Sequence, residues 1–224
     1  MLLVVGLVGL TGCVVGDNDS AGERTVPQSG PVILRDDFSD PETDWSVGTT
    51  PGTVGGYHQG RYRVRVTRND EGVSHWVEIG SVVEAMRFEI DATQRTGSPR
   101  DEIGVICYAH VGANDDAGYQ LSFSPDGWAQ ISRVLEGDSS VLEERTGEDA
   151  IRGREGMYRI RADCIGATRD EPAQLSLFVD GQLIAHAKDN LGYFPRFDGI
   201  GVTTWSEDGQ TEAVYDNAVV RELR

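Results

Sequence analysis

Histidine and cysteine are scarce in this 224-residue chain, at four and three. His58, His75, His110 and His186 are scattered without metal-ligand spacing, and no His-Glu-x-x-His or Gly-x-Ser-x-Gly motif occurs. No glycine-rich loop leads into a helical pattern, which leaves no phosphate cradle of the usual kind. Basic residues are also few. Twenty Lys and Arg stand against 37 Asp and Glu, a net charge of −17, and such a surface repels phosphate backbones, so nucleic acid is excluded as a partner. The acidity suits a soluble exported protein, or a calcium-rich or cationic partner. Long apolar runs are missing too, apart from MLLVVGLVGLTG at residues 1–12. Twelve residues are too few to span a bilayer, which takes about twenty, but they fit the apolar core of a secretory signal.

That run ends at Leu10-Thr11-Gly12-Cys13, which resembles the lipobox of bacterial lipoproteins. The resemblance implies cleavage before Cys13, diacylation of its thiol and acylation of its amine. It places the protein in the bacterial cell envelope, extracytoplasmic and held to the membrane by acyl chains worth about 0.8 kcal/mol per buried methylene. Cys107 and Cys164 then remain. Each alternates with apolar neighbours (Ile103 and Val105; Tyr158, Ile160 and Ala162) and so points inward. They are either a bridge or two reduced core thiols, and an oxidising compartment favours the bridge. The organisation expected is a signal over 1–12, a Gly/Ser/Asp/Pro-rich tether over 13–31, and one folded domain over 32–224.

The domain is written in strands. In RYRVRV, Tyr62, Val64 and Val66 share one face and Arg61, Arg63 and Arg65 the other. Similar segments fall at 33–38, 76–79, 83–91, 102–110, 118–124, 128–135, 141–145, 157–164, 174–179, 182–187, 199–205 and 213–221, separated by Gly, Asp, Asn and Pro clusters. No long helical period interrupts them. An all-β antiparallel sandwich follows, with Asp180-Gly181 inside VDGQLIA as a type I′ hairpin turn.

The order of RDDFSDPETDW, GRYRVRV, IGVICYAH, GYQLSFSPDGW, YRIRADCIG, LSLFVDGQLIA, DGIGVTTWS and VYDNAVVREL resembles bacterial extracytoplasmic domains of the concanavalin A-like lectin/glucanase superfamily. Laminin-G-like and 3-keto-disaccharide-hydrolase-like jelly rolls belong to it. The resemblance covers residues 34 to 224 and implies that Cys107 pairs with Cys164. It specifies fold more than function, because jelly rolls host lectins, glucanases and adhesive modules alike.

EIDATQ, Glu89 to Gln94, resembles the E-[IL]-D-x-x-E signature of laminarinase-like hydrolases. Gln94 replaces the final carboxylate, and an amide cannot protonate a leaving oxygen, so retaining glycosidase chemistry lacks its second acid. Glu89 and Asp91 stay as candidate ligand contacts on a polar strand face. Sugar rings stack on aromatic faces, which nominates Trp128 and Trp205, both beside Gly/Asp turns, with Tyr119 as a companion; Trp45 and Trp76 are weaker candidates. No cofactor is required. A structural calcium is expected where the first and last strands meet, held by Asp36 or Asp37 with Asp216. The expected function is noncatalytic binding of an extracellular or cell-wall glycan. A hydrolase of the 3-keto-disaccharide-hydrolase-like kind and an envelope protein-interaction module are the alternatives.

Overall fold

A computed structural model describes residues 28–110, 117–153, 156–191 and 194–224, with the side chain of His110 left aside. Cys13, and with it the signal and most of the tether, lies outside the described residues. Among the described residues the chain forms strands and no helix. They are β1 (Ser29–Asp36), β2 (Gly48–Thr49), β3 (Thr53–Tyr57), β4 (Tyr62–Val66), β5 (Glu71–Val83), β6 (Ala85–Thr96), β7 (Glu102–His110), β8 (Ala117–Ser124), β9 (Trp128–Leu135), β10 (Asp138–Arg145), β11 (Met157–Ile165), β12 (Ala173–Val179), β13 (Gln182–Asp189), β14 (Phe197–Ser206) and β15 (Thr211–Leu223).

These strands build two sheets. The first runs β13-β12-β11-β6-β15-β4-β3-β2, with β1 also on β15, and the second runs β10-β9-β8-β7-β14-β5. All pairings are antiparallel, and β15 is long enough to take β4 against Thr211–Tyr215 and β1 against Ala218–Leu223 on the same edge. Among the described residues the first strand begins at Ser29, where β1 lies against the last strand. Asp180-Gly181 does turn β12 into β13, with φ of 50° and 82°. Gln59-Gly60 and Glu136-Gly137 repeat that left-handed pair at the β3–β4 and β9–β10 turns.

Period-two alternation places the core between the sheets. Phe88 and Ile90 of β6, Tyr158, Ile160 and Ala162 of β11, and Ile103 and Val105 of β7 face it and are buried. So do Cys107 and Cys164, which form a disulfide joining the two sheets, with Cα atoms 6.6 Å apart and 57 residues between them. Closing a loop of that length stabilises by about 4 kcal/mol on the chain-entropy model.

Two aromatic expectations are corrected here. Tyr119 alternates with Leu121 and Phe123 and is fully buried, its hydroxyl donating to Asp189 Oδ2 at 3.0 Å while Arg133 bonds the same carboxylate. It is a core residue and offers a ligand nothing. Trp45 is likewise core, packed edge-on to Phe38 and tilted against Tyr62. The missed strands β2 and β3 lie on the Trp45 side, where the Trp45 amide donates to the Tyr57 hydroxyl of β3. Their residues GT and TVGGY are too short and too glycine-rich to show a period, and glycine is required at Gly55 because a Cβ there would overlap the ring of His75.

Candidate functional site

Facing away from the core, the two sheets present very different surfaces. On the nine-stranded sheet, Glu89 and Asp91 of β6 point outward among charged partners. Asp91 accepts from Arg159 Nη1 and from Asn217 Nδ2, each at 2.9 Å, and Arg161 lies opposite Glu89 across the β6–β11 ladder. Arg87 forks onto Asp163 at 2.7 and 2.8 Å. Gln94 turns its amide to the carbonyl of Ser98. The stretch that looked glucanase-like is thus engaged in ion pairs and local hydrogen bonds, on the opposite side of the molecule from Trp128 and Trp205.

The calcium set does not assemble. Asp36 accepts from the Phe38 amide and from the Thr43 hydroxyl, Asp37 from Ser39, and Asp216 pairs with Arg61 at 3.5 Å. Among the described residues no group of three or more His, Cys, Asp or Glu side chains could hold a metal ion.

The outer face of the six-stranded sheet is where the aromatics gather. Trp205 of β14 lies opposite Gly72 of β5 and Glu102 of β7, and Trp128 of β9 lies opposite Ser124 of β8. The β7–β8 ladder, in which Ile103 faces Phe123, brings Glu102 and Ser124 to the same level. The two indoles therefore stand on one transverse row, three strand spacings or about 14 Å apart at the backbone. Trp205 is 38% exposed and Trp128 is half-buried. Trp205 lies over Gly72, where a Cβ would run into its ring. Glycine at that position lets the indole lie flat along the sheet.

Successive rows continue the surface. The next carries Thr203, Gly104, Ser122 and Gln130, and the one after it Trp76, Gly201, Ile106, Gln120 and Ser132. The following row holds Tyr108, which overhangs Gly201. Trp76, Ile106 and Tyr108 form an apolar cluster separate from the core. Thr203, Ser122, Ser132, Ile106 and Tyr108 are buried, so the face offers chiefly the indoles of Trp205, Trp128 and Trp76 and the half-buried amides of Gln120 and Gln130.

Glu102 is the acidic group on the row between the indoles. Burial pushes its carboxyl up to about 7, against a hydrogen bond donated by Ser122 at 3.0 Å, and the field of Glu207 adds to the rise. Sequence reading missed Glu102, Tyr108 and the polar row. The signal was present, since Glu102, Gly104, Ile106 and Tyr108 alternate with the core residues of β7, but alternation does not say what lies opposite. A larger recess, about 860 Å³, lies elsewhere. It is lined by Glu84, Gly166, Arg169, Pro195 and Glu222 among others, and by no aromatic side chain.

No protein-family model matches the chain, and no curated protein sequence does either. Solved structures do match. The chain folds as a galectin-like jelly roll. It is similar to a Bacillus subtilis protein of galectin-like fold at TM-score 0.65 and 10% identity, covering 88% of this chain and 99% of that one. The carbohydrate-binding module CBM66 of Bacillus subtilis matches at 0.55 and 16% identity, covering 80% and 96%. The catalytic domain of an endo-1,3-β-glucanase (laminarinase) from Thermotoga petrophila matches at 0.56 and 12%, covering 89% and 100%. At such identities the likeness establishes the jelly roll and leaves its activity to the residues on its faces.

Proposed function

We propose that this jelly roll is a glycan-binding module without catalysis, held on the outer side of a bacterial membrane by acyl chains on Cys13. The observation that carries the binding reading is the row on which Trp205 and Trp128 flank Glu102. Indoles that far apart, with Glu102 between them and the amides of Gln120 and Gln130 on adjoining rows, suit an oligosaccharide lying across the strands better than a single ring. Similarity in fold to a carbohydrate-binding module supports the same reading.

The path of the chain supports the anchored arrangement. β1 enters at Ser29 beside Leu223, and the Val83–Phe197 end of the second sheet lies at that same end through the short β5–β6 turn. Trp205 is eight residues along β14 from Phe197, about 27 Å. The indoles are thus at the opposite end of the sandwich from Ser29, which suits attachment to a membrane through the segment before it.

The test is a glycan array followed by calorimetric titration of the best oligosaccharide. Trp205→Ala and Trp128→Ala should each weaken binding by about 1–3 kcal/mol, the value of a large aromatic contact at an accessible site, while the melting temperature holds. Variants that bind as wild type does, or that melt early, would refute the assignment. In parallel, Cys13→Ser should release the full-length protein from membranes, and detergent-phase partitioning that survives it would remove the anchor.

Glu102 favours a second reading, a glycan-processing hydrolase, because a carboxyl held protonated near neutral pH beside a sugar platform can serve as a general acid. Turnover of a bound oligosaccharide that Glu102→Gln abolishes would select that reading.

A further inference from the structure

The outer face of the nine-stranded sheet is unevenly charged. Towards β11 its arginines are matched, Arg87 with Asp163 and Arg159 with Asp91. Towards β4 they are not. Arg61, Arg63 and Arg65 project from one side of the β3–β4 hairpin, and Arg95 reaches the same area from the end of β6. Arg61 approaches Asp216 through Nε at 3.5 Å and Arg65 reaches only the amide of Gln210 at 3.4 Å. Among the described residues, Arg63 and Arg95 have no hydrogen bond and no ion pair.

A recess of about 350 Å³ opens at this place, lined by His58, Gln59, Arg61, Arg95, Glu212 and Val214. Val214 forms its floor. It faces Arg63 on one side and Thr93 on the other, and is only 8% exposed although it points away from the core. The Gln59-Gly60 turn, left-handed at both residues, closes one end and sets His58 and Arg61 on either side. Arg95 is exposed and Arg63 is half-buried, and among the described residues neither guanidinium has a protein acceptor. An oxyanion seated beside them gives these guanidiniums an acceptor that the described residues do not supply.

We propose that this recess binds the oxyanion of an acidic saccharide, a uronate carboxylate or a sugar sulfate. Arg61 and Arg95, which line the recess, supply N–H donors to the oxyanion, with Arg63 opposite Val214 at its edge. Glu212 and Gln59 accept from neighbouring sugar hydroxyls, which sets an acidic sugar apart from a free inorganic anion. The site is on a different sheet from Trp205 and Trp128, so it stands whether or not those indoles bind a glycan.

The experiment is calorimetric titration of the full-length protein with trigalacturonate, a sulfated chondroitin tetrasaccharide and a neutral trisaccharide, alongside co-sedimentation with anionic and with neutral phospholipid vesicles. One of the two acidic saccharides should bind, the neutral one should not bind here, and affinity should fall at least about tenfold when salt is raised to about 0.5 M. Arg61→Gln and Arg95→Gln should each lower it by about tenfold, the loss of a charge-assisted hydrogen bond, whereas Trp205→Ala should leave it unchanged. Arg95 is exposed near a strand end, so its variant reads binding even though Arg61→Gln also frees Asp216. Equal affinity for acidic and neutral saccharides, wild-type affinity in Arg95→Gln, or recruitment to anionic vesicles with no saccharide binding would each overturn the proposal.

Discussion

Replacing Glu102 by glutamine should make the protein more stable in mild alkali and leave it nearly unchanged in mild acid. Burial raises the folded carboxyl from 4.5 to about 7, so the folded state holds a proton that the unfolded chain releases above about 4.5. A raised folded pKa contributes stability that is complete below the unfolded value and lost as pH rises through the folded one. At about 1.4 kcal/mol per unit, the wild type should forfeit about 3 kcal/mol between about pH 4.5 and about pH 8.5. The amide introduced by Glu102→Gln cannot ionise. It keeps a carbonyl oxygen for the Ser122 hydroxyl, now 3.0 Å from the carboxylate, so the swap should be close to neutral at low pH. Urea melts of both proteins at about pH 5 and about pH 8.5 measure the difference directly, with equal slopes needed to show that the unfolded states are alike. A stability gap that stays the same at both pH values would show that Glu102 is solvated and titrates normally. The same proton bears on the outer face of the six-stranded sheet: glycan affinity there should change through neutral pH in the wild type and be flat in the variant.

Two further outcomes concern the scaffold. Cys107→Ser should cost about 4 kcal/mol of unfolding free energy, from the 57-residue separation of the bridge, and reductant should lower the wild-type melt towards the variant; an unchanged melt would mean the unfolded chain is not constrained by it. His75 is 5% exposed, and burial lowers its pKa although Nδ1 lies 3.1 Å from the carbonyl of Ser46. With a depressed folded pKa, its contribution is present above about 6.5 and lost as pH falls through the folded value, so stability should decline from about pH 6.5 downward, and His75→Gln should flatten that limb of the pH profile.

Period two is a local property, and it made much of the fold legible. Cys107 and Cys164 could be placed on inward faces from their own neighbours, and Asp180-Gly181 could be recognised as a turn because only residues tolerating positive φ adopt it. Most strands were readable for the same reason, whereas β2 and β3, glycine-rich and short, carry no alternation to read.

Alternation assigns a residue to one of two faces of its own strand. Which strands stand side by side, and which of the four sheet faces a residue occupies, depends on pairings between segments far apart in the chain. Tyr119 was nominated as a companion of Trp128 and Trp205, yet its parity turns it inward to Asp189. Glu89 and Asp91 were correctly read as outward, but outward on the nine-stranded sheet, where Arg159 bonds Asp91 and Arg161 stands opposite Glu89. Composition and order determined the sandwich and its bridge. The meeting of Trp205 with Glu102, and of Arg95 with the β3–β4 hairpin, was decided by the β14–β7 and β15–β6 registers, because hydrogen-bonded ladders act between strands whose separation in sequence leaves no mark on either one.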